Sequence, residues 1–81
     1  MRNLSLLCLT MPKLLSSTQV VKVLENNGFV FISQKGSHVK FRKLGIKKRT
    51  VIVPAGRKEI PMGTLHSIMR QASLTKEDFG I

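Results

Sequence analysis

The chain has 81 residues, enough for one domain with a single small core. Hydrophobic residues make up 42% of it, which argues against disorder throughout the chain. Lys and Arg number 14 against four Asp and Glu, a formal net charge of +10, and no stretch approaches the ~20 apolar residues of a membrane span. Because such self-repulsion strains a small fold, the charge predicts a polyanionic partner, most commonly nucleic acid, although an acidic membrane surface or acidic protein would also fit.

The first eleven residues are expected to be an optional extension, followed by a single domain over residues 12–81. Arg2 and the apolar run after it resemble a signal peptide only in outline, because Ser5 and Thr10 interrupt the run and no small-residue cleavage site follows. Cys8 is the only cysteine, which excludes an intramolecular disulfide and fits a reducing, cytoplasmic compartment.

The next patterns predict a helix and a strand. Ser16 and Gln19 have capping-box spacing, and Gly28 suits the left-handed position after a helix over residues 17–27. The β-branched and aromatic run over residues 29–32 then predicts the first strand.

After a tight turn at Lys35-Gly36, the chain alternates between apolar and basic positions. Val39 and Phe41 share one face of a predicted strand. The other face carries His38, Lys40 and Arg42.

The remaining patterns predict a third strand over residues 49–53 and a second helix with Pro61 in its first turn. That helix carries an apolar stripe at i, i+3, i+4 and i+7, formed by Leu65, Ile68, Met69 and Ala72. Thr75 with Asp78 is expected to cap a short final turn. Helix, three antiparallel strands and helix together predict a two-layer α+β domain.

The cations concentrate in the middle of the chain, and no acid falls between residues 35 and 58. The plain interpretation is a solvated basic face, but an unbalanced cluster of one sign favours a surface that docks phosphates. Its members are Lys35, Lys40, Arg42, Lys43, Lys47, Lys48, Arg49, Arg57 and Lys58.

Few residues could carry chemistry. The two histidines, one cysteine and four acids show no metal-ligand spacing, so no metal or cofactor is expected. His38 could act as a general base near neutral pH, with Lys35, Lys40 or Arg42 stabilising the charge that develops on a phosphate. From the pattern alone, His38 either transfers protons or only hydrogen-bonds a phosphate. His66 is expected to flank the stripe of the second helix.

The three phenylalanines of the predicted strands are expected to belong to the core rather than to stack on bases. Phe29, Phe31 and Phe41 adjoin or alternate with buried positions. Because the chain has neither Trp nor Tyr, stacking on single-stranded bases is not the obvious binding mode.

A set of segments distributed along the chain matches one known family. These segments are residues 23–29, 34–42, 51–54 and 58–65, followed by Ile68, Gln71, Ala72 and Leu74. They resemble the HicA toxins of bacterial toxin–antitoxin pairs. The resemblance covers about residues 12–79, and the spacing from Gly36-Ser37-His38 to Gly63-Thr64-Leu65 makes it specific.

The resemblance implies a double-stranded-RNA-binding-like fold and metal-independent cleavage of messenger RNA. It makes His38 the catalytic residue and implies a HicB-like antitoxin that binds the toxin and masks this histidine. The candidate RNA-binding residues around it are Lys35, Gly36, Ser37, Lys40 and Arg42, although Gly36 reads most simply as a turn residue. This chain departs from the family at position 66, often basic there but His here, and at Ser73, where the family often has Gly.

Two other classes of function compete with an RNA-cleaving toxin. A non-catalytic double-stranded RNA-binding module usually carries a lysine cluster at the start of its second helix, where residues 61–64 have no cation. A membrane-active peptide would need a basic amphipathic helix, whereas most cations here fall on predicted strands and loops.

Overall fold

A computed structural model describes residues 14–45 and 48–81, so the predicted extension over residues 1–11 and Lys47 lie outside the described residues. The order of elements confirms the predicted α+β arrangement, with the final turn forming a short helix of its own. The elements are α1 (Ser17–Asn26), β1 (Phe29–Lys35), β2 (His38–Lys43), β3 (Arg49–Pro54), α2 (Met62–Ala72) and α3 (Lys76–Phe79).

The predicted capping box at Ser16 is present, and the predicted cap at Thr75 is a capping box as well. The Gln19 N–H donates to Ser16 Oγ at 3.1 Å, and Gln19 Oε1 accepts from the Ser16 N–H at 2.9 Å. The Thr75 N–H donates to the Asp78 carboxylate at 2.9 Å, and the Asp78 N–H donates to Thr75 Oγ1 at 3.3 Å. These bonds satisfy N–H groups that a helix leaves without partners in its first turn, so α1 and α3 begin where the sequence predicts.

The ends of α2 differ in detail from the prediction. Pro61 is the residue before the helix rather than part of its first turn. At the other end Ser73 has the left-handed conformation, with φ 58° and ψ 41°. The Leu74 N–H donates to the Met69 C=O at 3.0 Å, which closes the Schellman motif that usually places Gly at this position.

The strands form one antiparallel sheet in the order β1–β2–β3. β1 extends past residue 32 to Lys35, so the hairpin turn is Gly36-Ser37 and not the predicted Lys35-Gly36. Gly36 has φ 59°, whereas φ is not positive at Ser37, the pattern of a two-residue type II′ turn. A bulge between Phe31 and Ser33 shifts the register of β1 against β2.

One face of the sheet packs against both helices and forms the core. Phe41 on β2 and Val51 and Val53 on β3 are buried on this face. The apolar stripe of α2 is buried, as predicted, and the helix packs across β3. The other core residues are Leu15, Val20, Leu24, Phe29, Ile60, Leu65, Ile68, Met69, Ala72 and Phe79.

The strand β1 is only partly covered. Phe31 is 56% exposed, so its predicted place in the core is wrong, and its ring meets that of Phe41 in an edge-to-face arrangement at a centroid distance of 6.2 Å. In the described sheet β1 is hydrogen-bonded to β2 alone, and it therefore lies at an edge. Together with Val30 and Ile32, Phe31 gives this edge an exposed apolar surface.

Candidate functional site

The face of the sheet opposite the helices, called the open face below, carries the predicted site residues. His38 is the first residue of β2, and the register places Lys35 of β1 and Pro54 of β3 directly beside it. Lys40 and Arg42 follow on the same face at two-residue steps, about 7 Å apart along an extended strand. The His38 side chain is exposed. The predicted histidine and the three predicted cations therefore share one surface.

Not every central cation lies on the open face. By strand alternation Lys43 and Arg49 belong to the helix side, and Lys43 side-chain carbons lie close to Gly28 at the end of α1. Arg57 and Lys58 lie in the loop between β3 and α2. The surface available to phosphates is consequently narrower than the linear cluster of cations indicates.

Hydrogen bonds tie the turn before His38 to the rest of the sheet. The Ala55 N–H donates to the Ser37 C=O at 2.8 Å, joining the β1–β2 turn to the end of β3. From the end of β1, Gln34 Nε2 donates to the Gly36 C=O in the turn at 3.0 Å. These bonds fix the backbone from which the imidazole of His38 projects.

Ser17, a buried polar residue in the first turn of α1, ties the helix to the end of β3. Its hydroxyl donates to the Pro54 C=O at 2.6 Å and accepts from the Arg57 N–H at 2.9 Å. Its own N–H donates to the Arg57 C=O at 2.9 Å. Ser17 therefore positions Arg57 on the same side of the molecule as His38.

A cleft of about 340 Å³ opens between this end of the sheet and α2, and His38 forms part of its wall. We call it the His38 cleft. Its apolar lining comes from β3 and from the buried side of α2, and its polar lining comes from α2 and the loop before it. The residues other than His38 are Ile52, Pro54 and Ile68, which are apolar, and Arg57, Thr64, Ser67 and Gln71, which carry polar groups.

Gln71 joins α2 to the outer edge of the sheet. Its Oε1 accepts from the Ile52 N–H at 3.1 Å and so satisfies a donor that the edge strand β3 would otherwise present to water. The bond occupies the amide oxygen and leaves the NH₂ group as a donor. Thr64 and Ser67 lie on the same side of α2 as Gln71, because residues three, four and seven positions apart share a helix face.

Sequence reasoning missed most of the cleft. Thr64 and Gln71 entered the sequence analysis only through the family resemblance and Ser67 not at all, although the spacing of the three residues forms a polar stripe beside the apolar stripe of α2. Arg57 was considered only as one cation among many. Ser17 gives no sequence signal, since its partners lie 37 and 40 residues away.

Two other features of the described residues bear on function. Among residues 14–45 and 48–81, no three His, Cys, Asp or Glu side chains are placed to hold a metal ion. In the same part of the chain, no helix has both the length and the apolar character needed to cross a bilayer.

His66 lies exposed on α2 and lines a different surface from His38.

Fold and site together define a small basic α+β domain with a double-stranded-RNA-binding-like fold and one histidine exposed among cations on its open face. A sequence-family model described as "HicA toxin of bacterial toxin-antitoxin" matches residues 17–74, which include all of α1, the sheet and α2. The chain therefore belongs to the HicA toxin family, as its sequence motifs predict, and membership implies an antitoxin partner. A comparison with curated proteins finds no match.

Proposed function

We propose that this toxin is a metal-independent endoribonuclease that cuts messenger RNA in the cytoplasm, with His38 as its catalytic residue. The observation that carries the proposal is the exposed imidazole of His38 on the open face, beside Lys35 and two residues from Lys40. Membership of a toxin family supports it, and so does a net charge of +10, which favours a polyanionic substrate.

RNA carries its own nucleophile, the 2′-hydroxyl next to each phosphodiester. In the proposed reaction the neutral imidazole of His38 accepts the proton of that hydroxyl, and the 2′-oxygen forms a bond to phosphorus. The bond between phosphorus and the 5′-oxygen breaks, the 5′-oxygen takes a proton from a water molecule, and the hydroxide that remains takes up the proton held by His38. The products are a 2′,3′-cyclic phosphate end and a 5′-hydroxyl end.

The surrounding residues would bind the backbone and stabilise the transition state. Lys35, paired across the hairpin with His38, is best placed to stabilise the charge that develops on the phosphate oxygens. Lys40 and Arg42, farther along β2, would bind neighbouring phosphates. At the Gly36-Ser37 turn, Gly36 has no side chain, and even an added Cβ would meet nothing within 4 Å, so the backbone leaves room for a ribose–phosphate chain.

Cleavage of end-labelled messenger RNA in excess EDTA tests this proposal. The parent protein is compared with His38→Ala and with His66→Ala, a matched control that removes the other histidine from an exposed helical position. Because general base catalysis contributes about 10²–10⁴-fold, we expect His38→Ala to lower the cleavage rate at least about 100-fold, with an unchanged circular dichroism spectrum. Undiminished cleavage by His38→Ala would exclude the proposed role. RNA binding without cleavage by the parent would indicate a non-catalytic RNA-binding module.

We further propose that a HicB-like antitoxin inhibits the toxin by covering His38. An acidic protein would be drawn rapidly to the basic open face. The exposed edge formed by Val30, Phe31 and Ile32 offers apolar contact area next to that face. An equimolar amount of the antitoxin should abolish cleavage and protect His38 from acylation by diethyl pyrocarbonate. Full protection of His66 with none of His38 would contradict this mode of inhibition.

A further inference from the structure

We propose that the His38 cleft binds the base of a nucleotide next to the cleaved phosphate, and that polar groups of α2 select which base it is. The inference rests on the proposed function, because His38 belongs both to the wall of the cleft and to the open face. A base held in the cleft would bring its own ribose and phosphate to the imidazole. The cleft would then determine where along an RNA the toxin cuts.

The chemistry of the lining fits a nucleobase better than a bare phosphate. Ile52, Pro54 and Ile68 give the cleft apolar surface, against which a phosphate would lose hydration without compensation. A base is flat and apolar on its two faces and polar along its edge, and proteins hold unstacked bases between apolar side chains while hydrogen-bonding that edge. The cleft combines both kinds of surface.

The size of the cleft restricts the form of the RNA. Its volume of about 340 Å³ lies at the low end of the ~300–1,000 Å³ that small-molecule sites span, which suits one nucleotide. Bases within a duplex are stacked and paired, so their edges cannot enter such a cleft without unstacking. We therefore infer that the RNA is single-stranded where it enters the cleft.

The polar groups of α2 are set to donate. The Oε1 atom of Gln71 is held by the Ile52 N–H, so its NH₂ group remains to donate to a ligand. Ser67 Oγ accepts from Arg70 Nη2 at 3.2 Å, so its O–H remains to donate as well. Two donors prefer an edge with two neighbouring acceptors, and guanine presents such a pair at O6 and N7. The hydroxyl of Thr64 completes the polar side of the cleft.

Arg57 supplies the remaining contact. Ser17 makes hydrogen bonds with both the N–H and the C=O of Arg57, and these bonds position Arg57 in the lining of the cleft. Its guanidinium would pair with the phosphate on the far side of the bound nucleotide, while the phosphate on the near side lies at His38 and Lys35. The nucleotide is thus held at its base and at both of its phosphates.

Titration of the full chain with RNA that cannot be cut tests the proposal directly. The probes are four 2′-O-methyl tetranucleotides that differ only in one central base, and the readout is the amide NMR signals of Ile52 and Ser67 and the side-chain NH₂ signal of Gln71. We expect saturable shifts at these signals, with tighter binding when the variable base is guanine.

Two variants separate base recognition from general electrostatics. Gln71→Glu keeps an oxygen for the Ile52 N–H but loses the NH₂ donors, and Thr64→Val removes a hydroxyl at almost constant shape. Because a carboxylate repels every probe equally, the readout is the ratio of affinities between bases. We expect each variant to reduce that ratio by about 3- to 10-fold, as loss of one hydrogen bond implies. Thr18→Val, on the exposed side of α1, should leave it unchanged.

The inference would be overturned if neither the Ser67 amide nor the Gln71 NH₂ signal shifted, or if both cleft variants kept the parent's ratio. Since 2′-O-methyl RNA cannot react through its 2′-oxygen, this result does not depend on cleavage. A parent that binds bases in the cleft yet cuts no RNA would therefore refute the proposed function alone. A parent that cuts RNA without filling the cleft would refute base selection alone.

Discussion

Removal of the Ser17 hydroxyl should destabilise the fold through the loop that carries Arg57. Ser17→Ala deletes two hydrogen bonds, to the Pro54 C=O at 2.6 Å and from the Arg57 N–H at 2.9 Å, and leaves both backbone groups partly buried. At about 1 kcal/mol for each bond, with a further cost for the unsatisfied groups, we expect the free energy of unfolding to fall by about 2–3 kcal/mol. In a domain of this size the melting temperature would drop by roughly 10–20 °C.

Urea denaturation followed by circular dichroism measures this change, with Thr18→Ala as the matched control one residue further along α1. Thr18 is exposed, so its truncation should change the free energy of unfolding by less than about 0.5 kcal/mol. A loss below about 0.5 kcal/mol for Ser17→Ala as well would refute the structural role assigned to this hydroxyl.

Three further variants test particular features of the site and fold. Ser73→Gly should raise the free energy of unfolding by about 1 kcal/mol, because Ser73 is left-handed at φ 58°, and urea denaturation measures it. Gly36→Ala should lower that free energy by about 1 kcal/mol and also slow RNA cleavage, since strain at φ 59° distorts the turn before His38. Replacing Lys40 and Arg42 together by Gln should reduce the salt dependence of RNA binding, lowering the slope of log affinity against log salt by about 1.4.

Controls make each of these results specific. Gly80 also has a left-handed φ, 73°, with nothing within 4 Å of an added Cβ, so Gly80→Ala should cost similar stability without slowing cleavage. Lys22→Gln, on exposed α1, should leave the salt slope unchanged. Equal slopes for Lys22→Gln and the Lys40 and Arg42 double variant would mean that RNA does not follow the open face. A lower free energy of unfolding for Ser73→Gly would contradict the left-handed conformation of Ser73 at the end of α2.

Local patterns predicted the elements because their causes are local. The Ser16 and Gln19 capping box and the alternation around Phe41 depend only on neighbours in sequence, and the structure confirms both. The prediction for Phe31 failed because burial along the edge strand β1 depends on how much of it the helices cover: Phe29, on the same face, is buried, and Phe31 is exposed. Helix coverage is a non-local property that alternation cannot reveal.

The surroundings of His38 were predictable only in part. Alternation along β2 placed His38, Lys40 and Arg42 on one face, and the register confirms that placement. The His38 cleft depends instead on α2 lying across β3, which brings Gln71 to Ile52 across 19 residues of sequence. Contacts of that kind are set by packing, so a single sequence gives little indication of them.

The measurement that tests the central proposal most directly is single-turnover cleavage at one mapped site in a messenger RNA. Two substrates are compared, the natural RNA and the same RNA with a single 2′-deoxy nucleotide on the 5′ side of the cut, each with the parent and with His38→Ala. We expect cleavage only by the parent on natural RNA, with a cyclic phosphate end and a rate at least about 100-fold above the other three combinations. Cleavage of the 2′-deoxy substrate at the natural rate, or by His38→Ala, would show that His38 does not activate the 2′-hydroxyl.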